Sequence, residues 1–128
     1  MVVDSSALVS IVIEESGHER LLQKALNANV TVVGAPLAYE AAMVLSGKLH
    51  KDARPMLNGL LRNISAEIVP FTEEHYEAAV SAFLRYGKGR HPAGLNFGDC
   101  MSYAFARVSG LPLLYVGNDF SKTDIQSA

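Results

Sequence analysis

Cysteine is nearly absent from this chain: Cys100 is the only one in 128 residues. An intrachain disulfide is therefore excluded, and a lone thiol inside an apolar stretch reads as a small core residue of a protein kept in a reducing compartment, the cytoplasm. Long hydrophobic runs are missing as well. The best candidate, Ala7 to Ile13, is too short to span a bilayer, has no basic region before it and runs into Glu14 and Glu15, so neither a signal peptide nor a membrane anchor is expected. Charge of one sign is not in excess either. With 11 Lys and Arg against 13 Asp and Glu the net charge is −2, which supplies no global attraction to nucleic acid. Any such contact has to come from a local patch, and "RYGKGRH", Arg85 to His91, is the one on offer. No internal repeat or low-complexity tract interrupts the chain.

What is present fits one globular domain covering residues 1–128, with 49% apolar and 19% charged residues. Met1 to Asp4 reads as a short strand ending on an acid, followed by Ser5 and Ser6 as caps of a helix carrying Leu8, Val9, Ile11 and Val12. Ser16 and Glu19 have capping-box spacing ahead of a second helical stripe, Leu21, Leu22, Ala25 and Leu26. Val30 to Val33 predicts a buried strand. Pro36 opens a helix expected to stop near Ser46 at Gly47, and a further helix is expected from about Asp52 to Asn63 with Pro55 in its first turn. Ala66 to Val69 predicts a strand, Thr72 caps a helix through Tyr76, Ala79, Val80, Phe83 and Leu84, and Gly87 to Asn96 reads as loop. A late apolar helix around Asp99 and a strand from Leu111 to Val116 complete the pattern. Strands alternating with helices, in near-continuous apolar runs, imply an α/β fold whose parallel sheet is covered on both faces.

Of the thirteen acids, eight lie near predicted helix starts, on polar faces or on an exposed strand position. Asp4, Glu40, Asp99, Asp119 and Asp124 remain. Asp4 and Asp119 each follow a strand, where open parallel sheets bind ligands, although an Asx-turn or N-cap would also account for them. Glu40 sits in a helix apolar almost all round, with Leu37, Ala41, Val44 and Leu45 as its buried stripe, so its carboxylate should have a cation, a basic partner or a proton. Asp99 occupies a first helical turn, which tolerates an acid but does not require one. If these groups met, each pair 4 Å apart would repel by about 4 kcal/mol at an effective dielectric of ~20. Several such pairs would rival the roughly 5–15 kcal/mol that holds a whole domain folded. A cluster of this kind calls for protons or metal, and an all-oxygen donor set without His or Cys selects Mg²⁺ or Mn²⁺ over Zn²⁺.

Four stretches, "VVDSSAL", "APLAYEAAMVL", "LNFGDCMSYAFAR" and "LLYVGNDFSKTDI", in this order and spacing, resemble the PIN-domain ribonucleases and in particular the VapC-type toxins of toxin–antitoxin pairs. The resemblance spans the whole chain. It implies a three-layer α/β/α fold with a central parallel sheet, and an acidic pocket binding Mg²⁺ or Mn²⁺ to hydrolyse RNA. By motif, Asp4, Glu40, Asp99 and Asp119 are the catalytic and metal-binding acids. Ser6 is the hydroxyl that holds a metal-bound water or a ligand carboxylate, and Asn118 orients Asp119. Asp124 lies close enough in sequence to substitute for Asp119. Arg85, Lys88, Arg90 and His91 lie in or beside the loop that feeds the Asp99 helix, where they would either hold RNA phosphates beside the pocket or simply form a solvated loop. Tyr39 is read as core or dimer packing before base stacking, and His18 and His75 as surface residues. The resemblance further implies a homodimer and a cognate antitoxin covering the pocket, for whose helix Leu8, Ile11, Val12 and Leu45 would form a groove if exposed.

Three other readings compete. A catalytically inert PIN-like partner-binding module would keep the fold without turnover. A haloacid dehalogenase-type phosphatase also begins with an acid after the first strand, but its second acid two residues on is here Ser6. A response-regulator receiver would need an acidic pair before the phosphorylated aspartate and a late lysine after a strand, and neither is evident.

Overall fold

A computed structural model describes residues 1–128. The elements are β1 (Val2–Val3), α1 (Ser5–Val12), α2 (His18–Asn27), β2 (Val32–Gly34), α3 (Ala35–Leu49), α4 (Arg54–Asn63), β3 (Glu67–Val69), α5 (Glu73–Tyr86), α6 (Phe97–Ser109) and β4 (Leu113–Leu114), followed by a 3₁₀ turn at Phe120–Lys122. The four strands form one sheet in the order β3-β2-β1-β4, and every pairing is parallel. The chain steps from β1 outward to β2 and β3, then crosses back so that β4 pairs with the other side of β1. The switch point between β1 and β4 is where a parallel sheet opens a crevice at its carboxyl end. Asp4 stands at that position, with its N–H donating to the Leu114 carbonyl.

Alternation along β1 divides the interior into two faces. Val3 packs with Ala7, Leu8, Leu45, Leu57 and Ile64 beneath α1 to α4. Val2 packs on the opposite face with Ala82, Tyr86, Leu95, Phe105 and Leu113 beneath α5 and α6. These are the three layers the sequence pattern implies, helices over both faces of a parallel sheet.

Several local expectations are corrected. The cap of α1 is Asp4 itself, whose carboxylate accepts the Ser6 N–H, while Ser5 and Ser6 are already helical. No capping box forms at Ser16: α2 starts at His18 after Gly17 in the left-handed region at φ 90°, which leaves Ser16 outside the helix. Helix α3 runs through Gly47 and ends at His50 in the left-handed conformation. The buried Leu45 and the half-buried Leu49 hold that last turn, and their packing outweighs the ~1 kcal/mol by which glycine disfavours a helix relative to alanine. A Cβ on Gly47 would meet nothing within 4 Å, so Gly47→Ala is expected to raise stability by about 0.5–1 kcal/mol, read by chemical denaturation.

Leu8, Ile11 and Leu45 are buried core, so they form no partner groove. Exposed apolar side chains lie elsewhere, most of them on α3 (Tyr39, Met43), α5 (Tyr76, Val80, Phe83, Leu84) and the start of α6 (Phe97). Tyr39 is 71% exposed and so no part of the core. His75 is half-buried rather than a surface residue: its ring lies 4.4 Å from that of Phe105 and its Nδ1 accepts the Thr72 N–H, closing the cap of α5. The last strand keeps only Leu113 and Leu114, which pair with Val2 and Val3, and the chain tail, Gln126 to Ala128, bonds to Leu113 on the outer edge.

Candidate active site

Asp4 is only 5% exposed, and both of its carboxylate oxygens are occupied. Oδ2 accepts from the Ser6 N–H and hydroxyl, and Oδ1 accepts from the Ser102 hydroxyl of α6. Ser6 Oγ in turn accepts the Val116 N–H, which ties the segment after β4 to the start of α1. A buried carboxylate without such donors would be costly, and these hydrogen bonds hold both its position and its orientation. Glu40, in the middle of α3, receives the Ser5 hydroxyl on Oε1. The partner expected for it was a cation, a base or a proton; the fold supplies a serine. Glu40 Oε2 lies against Gly98 so closely that a Cβ there would come within 2.7 Å, so glycine at the start of α6 makes room for the α3 carboxylate.

Asp99 forms a reciprocal cap with Asn96: its N–H donates to Asn96 Oδ1 and its Oδ2 accepts the Asn96 N–H. Burial pushes its carboxyl up to about 6; the Asn96 N–H works in the opposite direction, and the negative charges of Asp4, Asp119 and Glu40 raise it further. Three carboxylates from distant parts of the chain thus act on the fourth. Asp119 is exposed on the turn before Phe120 and makes no side-chain hydrogen bond. None of the four pairs with a basic side chain.

The donor chemistry suits a hard divalent cation, being oxygen throughout and uncompensated by base. No three His, Cys, Asp or Glu side chains stand close enough together to hold a metal ion, and the charges of Asp4, Asp119 and Glu40 add to the burial that raises the Asp99 carboxyl.

The shift at Asp99 has a definite sign. A folded-state value of about 6 lies above the ordinary aspartate value, so between those two pH values the folded chain holds a proton that the unfolded chain has lost. Stability therefore falls as pH rises through that window, and the loss is complete above it. Asp99→Asn removes the charge and leaves Oδ1 to accept the Asn96 N–H. Discounted for the partial exposure of the side chain, the variant is expected to gain about 1 kcal/mol in metal-free protein at pH 7.5 and nothing at pH 4, measured by thermal unfolding across that range.

The remaining assignments divide. Asp124 does not stand in for Asp119: its carboxylate accepts from Tyr103 Oη at 2.7 Å and faces Arg85 at 3.5 Å and Arg107 at 3.9 Å. The Tyr103 hydrogen bond, with help from the two guanidinium groups, holds its carboxyl below the usual range. Asn118 makes no side-chain hydrogen bond and so does not orient Asp119; its carbonyl accepts from Ser121 instead. Three of the four basic candidates have neighbours of their own. Arg85 lies over the Tyr86 ring as well as beside Asp124, Arg90 lies over Phe83, and His91 Nδ1 accepts the Ala93 N–H. Lys88 is exposed and unpaired. Sequence reasoning missed Ser5, Ser102, Asn96 and Gly98. The signal for Ser102 was its position one turn after Asp99, on the same face of α6.

No helix is long and apolar enough to cross a membrane. The sequence profile of the PIN domain family matches residues 1–126. Ribonuclease VapC36 of Mycobacterium tuberculosis is 46% identical over 127 residues, covering 98% of this chain and 91% of its own. Ribonuclease VapC of Mycolicibacterium smegmatis is 40% identical over 125 residues, with 98% and 97% covered. Among solved structures, Mycobacterium tuberculosis VapC20, a sarcin–ricin loop cleaving toxin, superposes with a TM-score of 0.79 at 17% identity, covering 99% of this chain and 97% of that one. A toxin–antitoxin complex from Klebsiella pneumoniae contains a chain with a TM-score of 0.71 at 17% identity, over 96% and 92%.

Proposed function

The chain belongs to the PIN domain family, and from that premise we propose that it is a VapC-type toxin ribonuclease, a single PIN domain that hydrolyses RNA phosphodiester bonds at Asp4, Glu40, Asp99 and Asp119. The observation that supports the reading is geometric: Ser102 of α6 donates to Asp4 at the end of β1, and Glu40 of α3 lies against Gly98, the neighbour of Asp99, so acids from three separate elements gather at the carboxyl end of the sheet with no basic side chain to offset them.

Asp4 and Asp99 would hold Mg²⁺ or Mn²⁺, with Glu40 and Asp119 completing its surroundings. Such an ion, when bound, polarises the phosphate and lowers the pKa of an attacking water. The protein's own contribution is orientation. Ser6 and Ser102 fix both oxygens of Asp4, Ser5 fixes Glu40, and the Asn96 N–H fixes Asp99. Exposed Asp119 can turn toward the crevice without breaking a bond. No side chain is needed as a covalent nucleophile, and Cys100, buried with its thiol pushed up to about 11, is unsuited to that role.

A cognate antitoxin as inhibitor, a homodimer as the working assembly and the cytoplasm as its location belong to the same reading. The exposed apolar side chains of α3, α5 and α6 are the surface on which such partners would be sought. The rival reading, an inert PIN-like module, draws on the absence of three acidic, His or Cys side chains close enough together to hold a metal ion. Titration calorimetry with Mn²⁺ separates the two. A ribonuclease site gives binding heat that Asp4→Asn and Asp99→Asn abolish, whereas an inert module gives none.

A further inference from the structure

Beside the acidic crevice, and sharing Ser5 and Ser6 with it, lies an open pocket of about 290 Å³ lined by Ser5, Ser6, Val9, Glu15, Val44 and Val116. Its two serines are the residues whose hydroxyls bind Glu40 and Asp4. A strand of RNA lying across the four acids therefore has this pocket next to its reacting phosphate. Three walls are valine side chains, suited to the flat face of a base. The one charged group is Glu15, exposed and without a hydrogen-bond or ion-pair partner for its carboxylate. Its main chain is nonetheless fixed. The Glu15 N–H donates to the Ser10 carbonyl, its carbonyl accepts from His18, and the turn that places it passes through Glu14 at φ 55°.

A carboxylate at the mouth of an apolar pocket repels phosphate and selects a neutral group that offers N–H donors. Among the four bases guanine alone presents two adjacent donors, N1–H and N2–H, in the geometry of a carboxylate. Uracil places one N–H between two carbonyl oxygens, and adenine and cytosine offer only an exocyclic amine. We infer that Glu15 is a specificity-determining residue that reads a guanine next to the cleaved phosphate, with Val9, Val44 and Val116 packing on the base. This rests on the ribonuclease reading above. A basic side chain of a protein partner would also suit the carboxylate. The base is favoured because Ser5 and Ser6 line the pocket and also hold Glu40 and Asp4, so the substrate has to lie next to it.

The test uses the full chain with Mn²⁺ and two kinds of substrate, mixed-sequence cellular RNA with its new 5′ ends mapped, and short single-stranded RNAs carrying one guanine, inosine or adenine beside the mapped cut. The parent is expected to cut next to guanine at least about tenfold faster than next to adenine, with inosine, which lacks the N2 amine, in between. In Glu15→Gln the advantage of guanine should shrink to within about threefold while cleavage beside adenine keeps its rate. Equal cutting beside all three bases, or the parental preference retained in Glu15→Gln, overturns the inference while leaving the ribonuclease reading intact. Protection of the pocket by arginine amide, with no change of base preference in the variant, would assign it to a protein partner and overturn the inference equally. A parent that digests none of these RNAs defeats the ribonuclease reading, and the inference with it.

Discussion

Asp99→Asn protein is expected to lose RNA cleavage by a hundredfold or more while unfolding at a higher temperature than the parent in the absence of metal. A hundredfold loss corresponds to about 2.7 kcal/mol of activation free energy, within reach of removing one carboxylate from a shared cation. The gain in stability follows from the same charge. Burial and the charges of Asp4, Asp119 and Glu40 disfavour the ionised form of Asp99 in the folded chain, so neutralising it relieves the fold. The two effects have opposite signs, and unfolding cannot account for the lost activity. Asp4→Asn lacks this advantage. It should lose cleavage to a similar extent, yet an amide cannot accept on both atoms from Ser6 and Ser102, so the variant should also unfold at a lower temperature. Measuring initial cleavage rates and unfolding midpoints on the same preparations checks both statements. An Asp99→Asn protein that cleaves at the parental rate would remove Asp99 from the site.

Gly34→Ala is expected to destabilise the protein by about 3 kcal/mol or more, lowering its unfolding midpoint by roughly 10 °C. Gly34 ends β2 and caps α3, the helix that carries Glu40. A methyl group there would lie 2.0 Å from Cε2 of Phe105 and 2.5 Å from two further ring carbons. Phe105 is fully buried with the rings of His75 and Phe71 against it, so it has nowhere to withdraw. Pairing the change with Phe105→Leu should recover part of the loss, because the smaller side chain vacates the position the methyl needs. A double variant as unstable as the sum of the two single losses would show that the clash is not what harms Gly34→Ala.

The order of strands and helices was readable from apolar spacing because each element needs only a short local pattern. The edges were not. Gly47 reads as a helix stop in isolation, yet the packing of Leu45 and Leu49 carries α3 beyond it. Ser16 and Glu19 have capping spacing, but the turn through Glu14 and Gly17 starts α2 later. The late strand is shorter than its apolar run because β1 offers it only Val2 and Val3 to pair with. At the proposed site, the candidate acids were reached by asking which carboxylates ordinary helix physics leaves unexplained. Asp119 and Asp124 could not be told apart that way, since both follow the same strand. Only the fold turns Asp124 toward Tyr103, Arg85 and Arg107, groups drawn from α5 and α6.

By itself the sequence determined the fold class and the family and proposed a short set of candidate carboxylates, since these rest on residue type, local periodicity and the order of motifs along the chain. Tertiary structure decided which hydroxyls hold those carboxylates: Ser102 reaches Asp4 across 98 positions and Ser5 reaches Glu40 across 35. It also decided that Gly98 yields space to Glu40, and that the exposed apolar surface lies on α3, α5 and α6 rather than on α1. Contacts of that range depend on how two helix layers settle on a common sheet, and no local spacing encodes that distance.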